Sequence, residues 1–267
     1  MKSDLDLDTL TSPEATFNFH RHEPPLRSID FAELMPSRSI RMALGSVFAD
    51  LSGFTAYVDA CILTGRIAEM TANLHVIRGE LAACARDDFA ARKVRFIGDC
   101  LHALIAVGTR TATEPAATVD AAVMLTGGLR SSFELCRGML PGLGMMGIAI
   151  GAEYGETPIS RIGIRGERSV RCASSKAVSS SEALQSDLTG RQTALGLVAL
   201  ANASAAVRTH FGRGPVEDLD HTQAERLVSP GRNASPARPA AVSSGLLISQ
   251  GAAASGAVRE RGSGRHA

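Results

Sequence analysis

Val47-Phe48-Ala49-Asp50-Leu51-Ser52-Gly53-Phe54-Thr55 is an apolar run that ends in a carboxylate and breaks at once into a small, polar, glycine-containing turn. It reads as a buried strand feeding a helix. Asp50 stands where the strand stops, and the free backbone N–H groups of Ser52 to Thr55 open the next helix, an arrangement able to hold a divalent cation and the phosphates it carries. One such Asp serves equally well as a helix cap or a solvated turn residue, so a second carboxylate is needed. It comes at Lys93-Val94-Arg95-Phe96-Ile97-Gly98-Asp99-Cys100-Leu101-His102-Ala103, where two strand-like runs flank Gly98-Asp99, the signal of a tight hairpin. Between the two stretches, helical periodicity runs from Thr55 to about Leu63 and from Ile67 to about Ala91, with Leu74, Ile77, Leu81 and Cys84 on one core-facing stripe. Strand, helices and hairpin then bring both carboxylates to one edge of one sheet, where they suit two divalent ions.

The two blocks together resemble the catalytic domain of the class III nucleotidyl cyclases, and a third, Met146 to Glu156, is similar to that family's central strand. Arg168 to Ser186 occupies the place of its dimer-facing strand and helix, and the resemblance spans about residues 40 to 215. It implies an α+β, ferredoxin-like catalytic domain, a sheet covered by helices, working as a head-to-tail homodimer with active sites shared between subunits. It also implies two Mg²⁺ or Mn²⁺ ions per site on Asp50, the backbone of Leu51, and Asp99. The backbone of Leu51, Ser52, Gly53, Phe54 and Thr55 is expected to cradle the β and γ phosphates, with Tyr57 open between substrate contact and packing.

At four positions the chain departs from the family pattern. Arg95 stands four residues before Asp99, where adenylate cyclases usually carry a base-reading Lys; Cys172 aligns with a second base-reading position, usually Asp; and Ser179 and Ala183 replace the Asn and Arg that address the phosphates. This set resembles the Pycsar cyclases of bacterial anti-phage defence, stand-alone pyrimidine cyclases, as do Pro25 to Phe31 and Arg41 to Ser46. Lys176, three residues before Ser179 on the same expected helix, is the candidate for the missing transition-state cation, with Arg168 and Arg171 as rivals. Arg95 offers only donors and Cys172 is a poor acceptor, which suits the two carbonyls of uracil better than an exocyclic amine. UTP is therefore the expected substrate, with cyclic UMP and pyrophosphate as products and CTP second, and with a cyclic-nucleotide-binding effector downstream. The alternatives are a cytidylate or purine cyclase, or a catalytically inactive nucleotide-sensing or dimerisation module on the same fold.

Composition bounds these readings. The 267 residues are 45% apolar and 4% aromatic with no Trp, ordinary for one well-cored domain with extensions. Net charge is +1, but Arg232, Arg238, Arg259, Arg261 and Arg265 face only Glu260 in the last segment, leaving 23 basic and 26 acidic residues before it. A slightly acidic body argues against nucleic acid as the main partner. Asp4, Asp6 and Asp8 replace the basic start of a signal peptide, and the apolar windows are too short to span a bilayer, so a cytoplasmic protein off the membrane is expected. The five Cys lack a CxxC and read as reduced thiols, and His20 and His22 have no third ligand nearby.

Three segments follow: an N-terminal extension over 1–37, in which Phe17 and Phe19 suggest a short added strand, a cyclase-like domain over 38–228, and a tail over 229–267 rich in Pro, Gly, Ser and Ala that is expected to stay disordered. Within the domain the pattern predicts a strand at Arg41 to Asp50, the Lys93 to Val107 hairpin, and a helix from Pro115 to about Arg137. A strand over Met146 to Tyr154 follows, then an antiparallel pairing over Ile159 to Val170 turning at Gly166. A helix from about Ser174 to Ser186 follows, then Thr193 to Phe211 holds an apolar run and a helix, and Pro215 to Val228 is a short terminal element.

Overall fold

Phe19–Arg21 (β1) pairs in parallel with the start of Ser39–Ser52 (β2), and β2 is the strand on which the rest of the sheet is laid. The computed structural model describes residues 17–22, 26–163 and 169–229. From β2 the chain passes through α1 (Phe54–Leu63), α2 (Ile67–Ala83) and a π-turn at Cys84–Asp88 into the hairpin of β3 (Arg92–Ile97) and β4 (Cys100–Ile105). The long α3 (Pro115–Met139) returns it to β5 (Gly147–Gly163), followed by β6 (Ser169–Ala173) and α4 (Lys176–Ser186). β7 (Gln192–Leu195), α5 (Leu197–Asn202), α6 (Ala205–Phe211), β8 (Val216–Glu217) and α7 (His221–Val228) close the described chain. The strand order is β3-β4-β2-β5-β7-β8, with β1 added to β2 and β6 to β5. β2 and β5 sit in the middle of the sheet, antiparallel over the whole of Ile40–Ser52, and the helical crossovers on either side of the β3–β4 hairpin give the ferredoxin-like α+β pattern.

Alternation along the central strands sorts their side chains to two faces. Val47, Ala49, Leu51, Leu101, Ala103, Ile148 and Ile150 join Ile77, Leu81, Leu129 and Phe133 from the helices in the main core. Met42, Leu44, Val94, Leu104 and Ile159 point the other way, into a second core closed by Leu26, Ile29, Phe31 and Leu34. Residues 26–34 thus cover part of the opposite face. α4 covers the rest of that face, and it comes close because β5 carries glycine beneath it: a Cβ on Gly151 would collide with the Ser181 carbonyl and the backbone of Gln185.

Three expectations change. α2 stops at Ala83 and the stripe on its buried face is Asn73, Ile77 and Leu81, with Leu74 only half-buried, because Asn73 donates to Tyr57 Oη (2.7 Å) and to the Pro141 carbonyl (3.0 Å). The strand expected to stop at Tyr154 runs on through Thr157 and Pro158 to Gly163, so Ile159 to Gly163 continues β5 and pairs with β6. The terminal stretch from Gln192 resolves into two strands and three helices rather than one helix and one short element. Gly166, Arg168 and the tail from Pro230 lie outside the described residues.

Candidate active site

β2 carries Asp50 to its end, opposite Ala149 of β5, and the β2–β4 pairing that sets Ala49 against Leu101 places Cys100 beside it. The next two residues close the hairpin loop, with Gly98 at φ 59 and Asp99 following. Asp99 turns back toward β2, where its carboxylate accepts from the Leu51 backbone N–H. The hairpin therefore brings the two Asp residues to one place, as the sequence pattern predicts. Asp50 lines a cleft of about 540 Å³ together with Ser52, Ile97, Cys100 and Ala149, with Glu182, Gln185 and Ser186 of α4 on its far wall.

The electrostatics of the pair follow from its burial. Both carboxyls are raised above the usual carboxylate range, chiefly by desolvation, and Asp99 is pushed up to about 6 with the Asp50 charge adding to the effect. The Cys100 thiol donates to Asp50 and partly offsets its shift, while burial and the two Asp charges push the thiol itself up to about 12. No cation contributes to either Asp shift. Two half-buried carboxylates that repel one another and have hard oxygen donors fit a divalent ion, with the Leu51 carbonyl next in the chain as a further oxygen. Among the described residues no group of three His, Cys, Asp or Glu side chains is placed to hold a metal, so the remaining ligands of such an ion would be water or phosphate oxygens.

Beside the carboxylates, Gly53 precedes α1 with φ 84, a conformation that strains any residue with a side chain, and no side chain caps the helix. Gly53, Thr55 and Ala56 are exposed. The first-turn amides of α1 are thus open at the positive end of the helix dipole, next to Asp50. Tyr57 is placed elsewhere: it is buried in the main core with its hydroxyl taken by Asn73, and it does not line the cleft.

Arg95 is exposed on β3 after a bulge between Lys93 and Arg95, directly opposite His102. Arg171 of β6 donates to the Lys93 carbonyl (3.3 Å), with its guanidinium 5.7 Å from the centre of the Phe31 ring, so Arg95 and Arg171 flank the same edge strand. Cys172, half-buried, pairs with Ser160 in the β5–β6 ladder. Lys176 and Ser179 are exposed on the first turns of α4. Ala177 lies over Gly155 whereas Gln185 lies over Gly151 and reaches the cleft. The six residue steps along β5 from Ala149 to Gly155 span roughly 20 Å, which sets Lys176 far from Asp50 of its own chain. Sequence reasoning missed Cys100 as a partner of Asp50, and it missed Glu182 and Gln185, which no motif marks.

A mixed sheet of this order, with paired carboxylates at the end of β2 and the tip of the neighbouring hairpin, is the class III nucleotidyl cyclase fold, and the chain belongs to that class. The solved class III adenylyl cyclase-like ATP-binding protein from Pseudomonas aeruginosa superposes with a TM-score of 0.77 at 38% identity, over 84% of this chain and 48% of that one. The guanylyl cyclase Cya2 shares the fold at 21% identity and a TM-score of 0.53, over 62% of this chain and 80% of its own. By sequence the chain is homologous to two proteins named uridylate cyclase. It is 59% identical to that of a Rhizobium species over 78% of this chain, and 39% identical to that of Pseudomonas aeruginosa over 85%. It spans 40% and 45% of the lengths of these relatives. No protein-family model matches it.

Proposed function

We propose that this chain is the catalytic domain of a uridylate cyclase, converting UTP to 3′,5′-cyclic UMP and pyrophosphate. The observation that carries the reading is the Asp50–Asp99 pair, two mutually repelling carboxylates, Asp50 lining the cleft, beside an open helix N-terminus. The names of the two homologues support uridine as the base. In the reaction the ribose 3′ oxygen forms a bond to the α-phosphorus, the bond from that phosphorus to the bridging β-phosphate oxygen breaks, and pyrophosphate leaves with the electron pair while the 3′ proton passes to water. Asp50, Asp99 and the Leu51 carbonyl hold Mg²⁺ or Mn²⁺, which when bound neutralises charge on the attacking oxygen and the leaving phosphates. Ser52 to Thr55 receive the β and γ phosphates on backbone N–H groups. Arg95, with Arg171 and Cys172 nearby, reads the base, and Lys176 with Ser179 approaches the phosphates, all from the copy of the chain opposite the one that supplies Asp50; the roughly 20 Å along β5 between Lys176 and Asp50 of its own chain supports this arrangement. The working unit in this reading is a homodimer with shared sites, and its product acts as a second messenger on a cyclic-nucleotide-binding effector in anti-phage defence.

The test is incubation of the purified protein with each of the four nucleoside triphosphates and Mn²⁺ or Mg²⁺, followed by identification of the cyclic product and of pyrophosphate. Cyclic UMP in excess is expected, with cyclic CMP second; a purine product would overturn the base assignment and leave the cyclase reading standing. A second reading, a nucleotide-binding module without turnover, is favoured by Ser179 and Ala183 at the places of the family's phosphate-directed Asn and Arg, and by the ATP-binding description of the structural relative. Nucleotide binding with no cyclic product would establish it.

A further inference from the structure

His102 is a buried histidine at the centre of a polar chain that the proposed reaction leaves unused. The ring is 2% exposed, stacks on Phe48 with centroids 4.2 Å apart, and places Nε2 3.1 Å from Ser46 Oγ. Ser46 Oγ lies 2.9 Å from Ser181 Oγ, and Ser181 Oγ lies 2.9 Å from the Val178 carbonyl, so the chain runs from β4 through β2 into α4. Ser181 Oγ donates to Ser46 Oγ, with the Val178 carbonyl as its second acceptor, and Ser46 Oγ in turn meets Nε2, so ring, hydroxyls and helix carbonyl form one continuous chain. That fixes the ring from one side, with the Phe48 stack fixing its plane. On the strand beyond, Arg95 is the residue directly across from His102, on the same face of the sheet, where side chains opposite one another start about 5 Å apart. An exposed arginine on an edge strand has many rotamers, and only a few would direct its fork at a base. The rigid ring is the neighbour that narrows them.

We propose that His102 is a positioning residue for base selection, setting the direction of the Arg95 guanidinium from its place in the Ser46–Ser181 chain. His102 does not touch the nucleotide, being buried, and its effect is read through Arg95. The inference rests on the proposed base-reading role of Arg95 and names the group that makes that role selective. Its occupant is the uracil ring: a guanidinium held on O4 meets an acceptor in uracil and an amine in cytosine, whereas a loosely held one donates to O2, which both bases share.

The experiment compares wild type, His102→Leu, His102→Gln, Arg95→Ala and the His102→Leu/Arg95→Ala double variant, each assayed with UTP and CTP and checked for melting temperature. His102→Leu is expected to lower the UTP-to-CTP ratio of kcat/KM about tenfold, mainly through KM for UTP. His102→Gln, whose amide nitrogen can take the place of Nε2 toward Ser46, is expected to recover most of the ratio. In the Arg95→Ala background His102→Leu should change the ratio no further, the non-additivity of two residues acting as one unit. Equal losses on both nucleotides, an additive double variant, or an unchanged ratio would each overturn the inference. Should wild type cyclise no nucleotide, the cyclase reading fails by itself, and the inference is decided on the Kd ratio for UTP and CTP in the same variants by calorimetry.

Discussion

Asp99 is held in a state that the metal-free fold does not favour. Its carboxyl is pushed up to about 6 by burial and by Asp50, above the 3.8 from which it is shifted. A folded carboxyl with a raised pKa binds its proton more tightly than the unfolded chain does, so its contribution to stability is full below about pH 4 and is lost as pH rises through about 6. Asp99→Asn should therefore raise the metal-free melting temperature at pH 8 by a few degrees, about 1 kcal/mol once solvent screening of a half-exposed group is allowed for, and leave it unchanged at pH 4. The same variant, and Asp50→Ala, should lower kcat at least about 10³-fold. A destabilised Asp99→Asn at pH 8, or wild-type turnover in either variant, would refute the paired-metal assignment. His102 has the opposite slope: burial, with Arg95 adding, pushes it down to about 3. Its contribution is full above pH 6.5 and is lost as pH falls toward 3, by at most about 1.4 kcal/mol per unit. Urea unfolding of His102→Leu at pH 7.5 and 5 should show a smaller difference than wild type; an equal difference would mean that the ring is not carried neutral in the fold.

Among the elements, α1 and α2 show how packing can claim a residue that sits beside the chemistry. Tyr57 follows the turn proposed to cradle the phosphates by two residues, yet its ring faces the main core and Asn73 donates to its hydroxyl. Tyr57→Phe should cost about 1 kcal/mol and leave KM for UTP within about twofold, while Asn73→Leu, which strands both the hydroxyl and the Pro141 carbonyl, should cost about 1 to 3 kcal/mol. A tenfold rise in KM for Tyr57→Phe at unchanged melting temperature would return Tyr57 to the substrate. β2, the hairpin and α3 were legible because local signals agree there: an apolar run ending in Asp, a Gly-Asp turn, and Pro at a helix start. β5 was cut short in the sequence reading because Thr157-Pro158 looks like a break, whereas in the fold Pro158 stays in register with Arg41. Asn73 was missed because an amide inside an apolar stripe breaks the periodicity by which stripes are found. Glu182 and Gln185 face Asp50 from more than a hundred residues away, a nearness that only the glycine-lined approach of α4 to β5 creates.

At the scale of the whole molecule, the proposed roles of Asp50 and Lys176, with their separation along β5, predict that assembly is a condition of activity. If metal-holding groups and base- or phosphate-reading groups meet only between two copies, each dimer has two sites, and each site draws Asp50 from one copy and Arg95 from the other. Asp50→Ala and Arg95→Ala homodimers then have two damaged sites each. In a heterodimer of the two variants both lesions fall in one site, and the other keeps all its groups. Random exchange of equal amounts makes half the dimers mixed, each with one whole site of two, so mixing should restore up to about a quarter of wild-type activity from two nearly inactive proteins. Activity should also rise faster than linearly with protein concentration near the dimer dissociation constant, as sedimentation at the same concentrations would record. Absence of recovery after demonstrated subunit exchange would place Asp50 and Arg95 of each site within one chain and overturn the sharing of the base-reading group between copies.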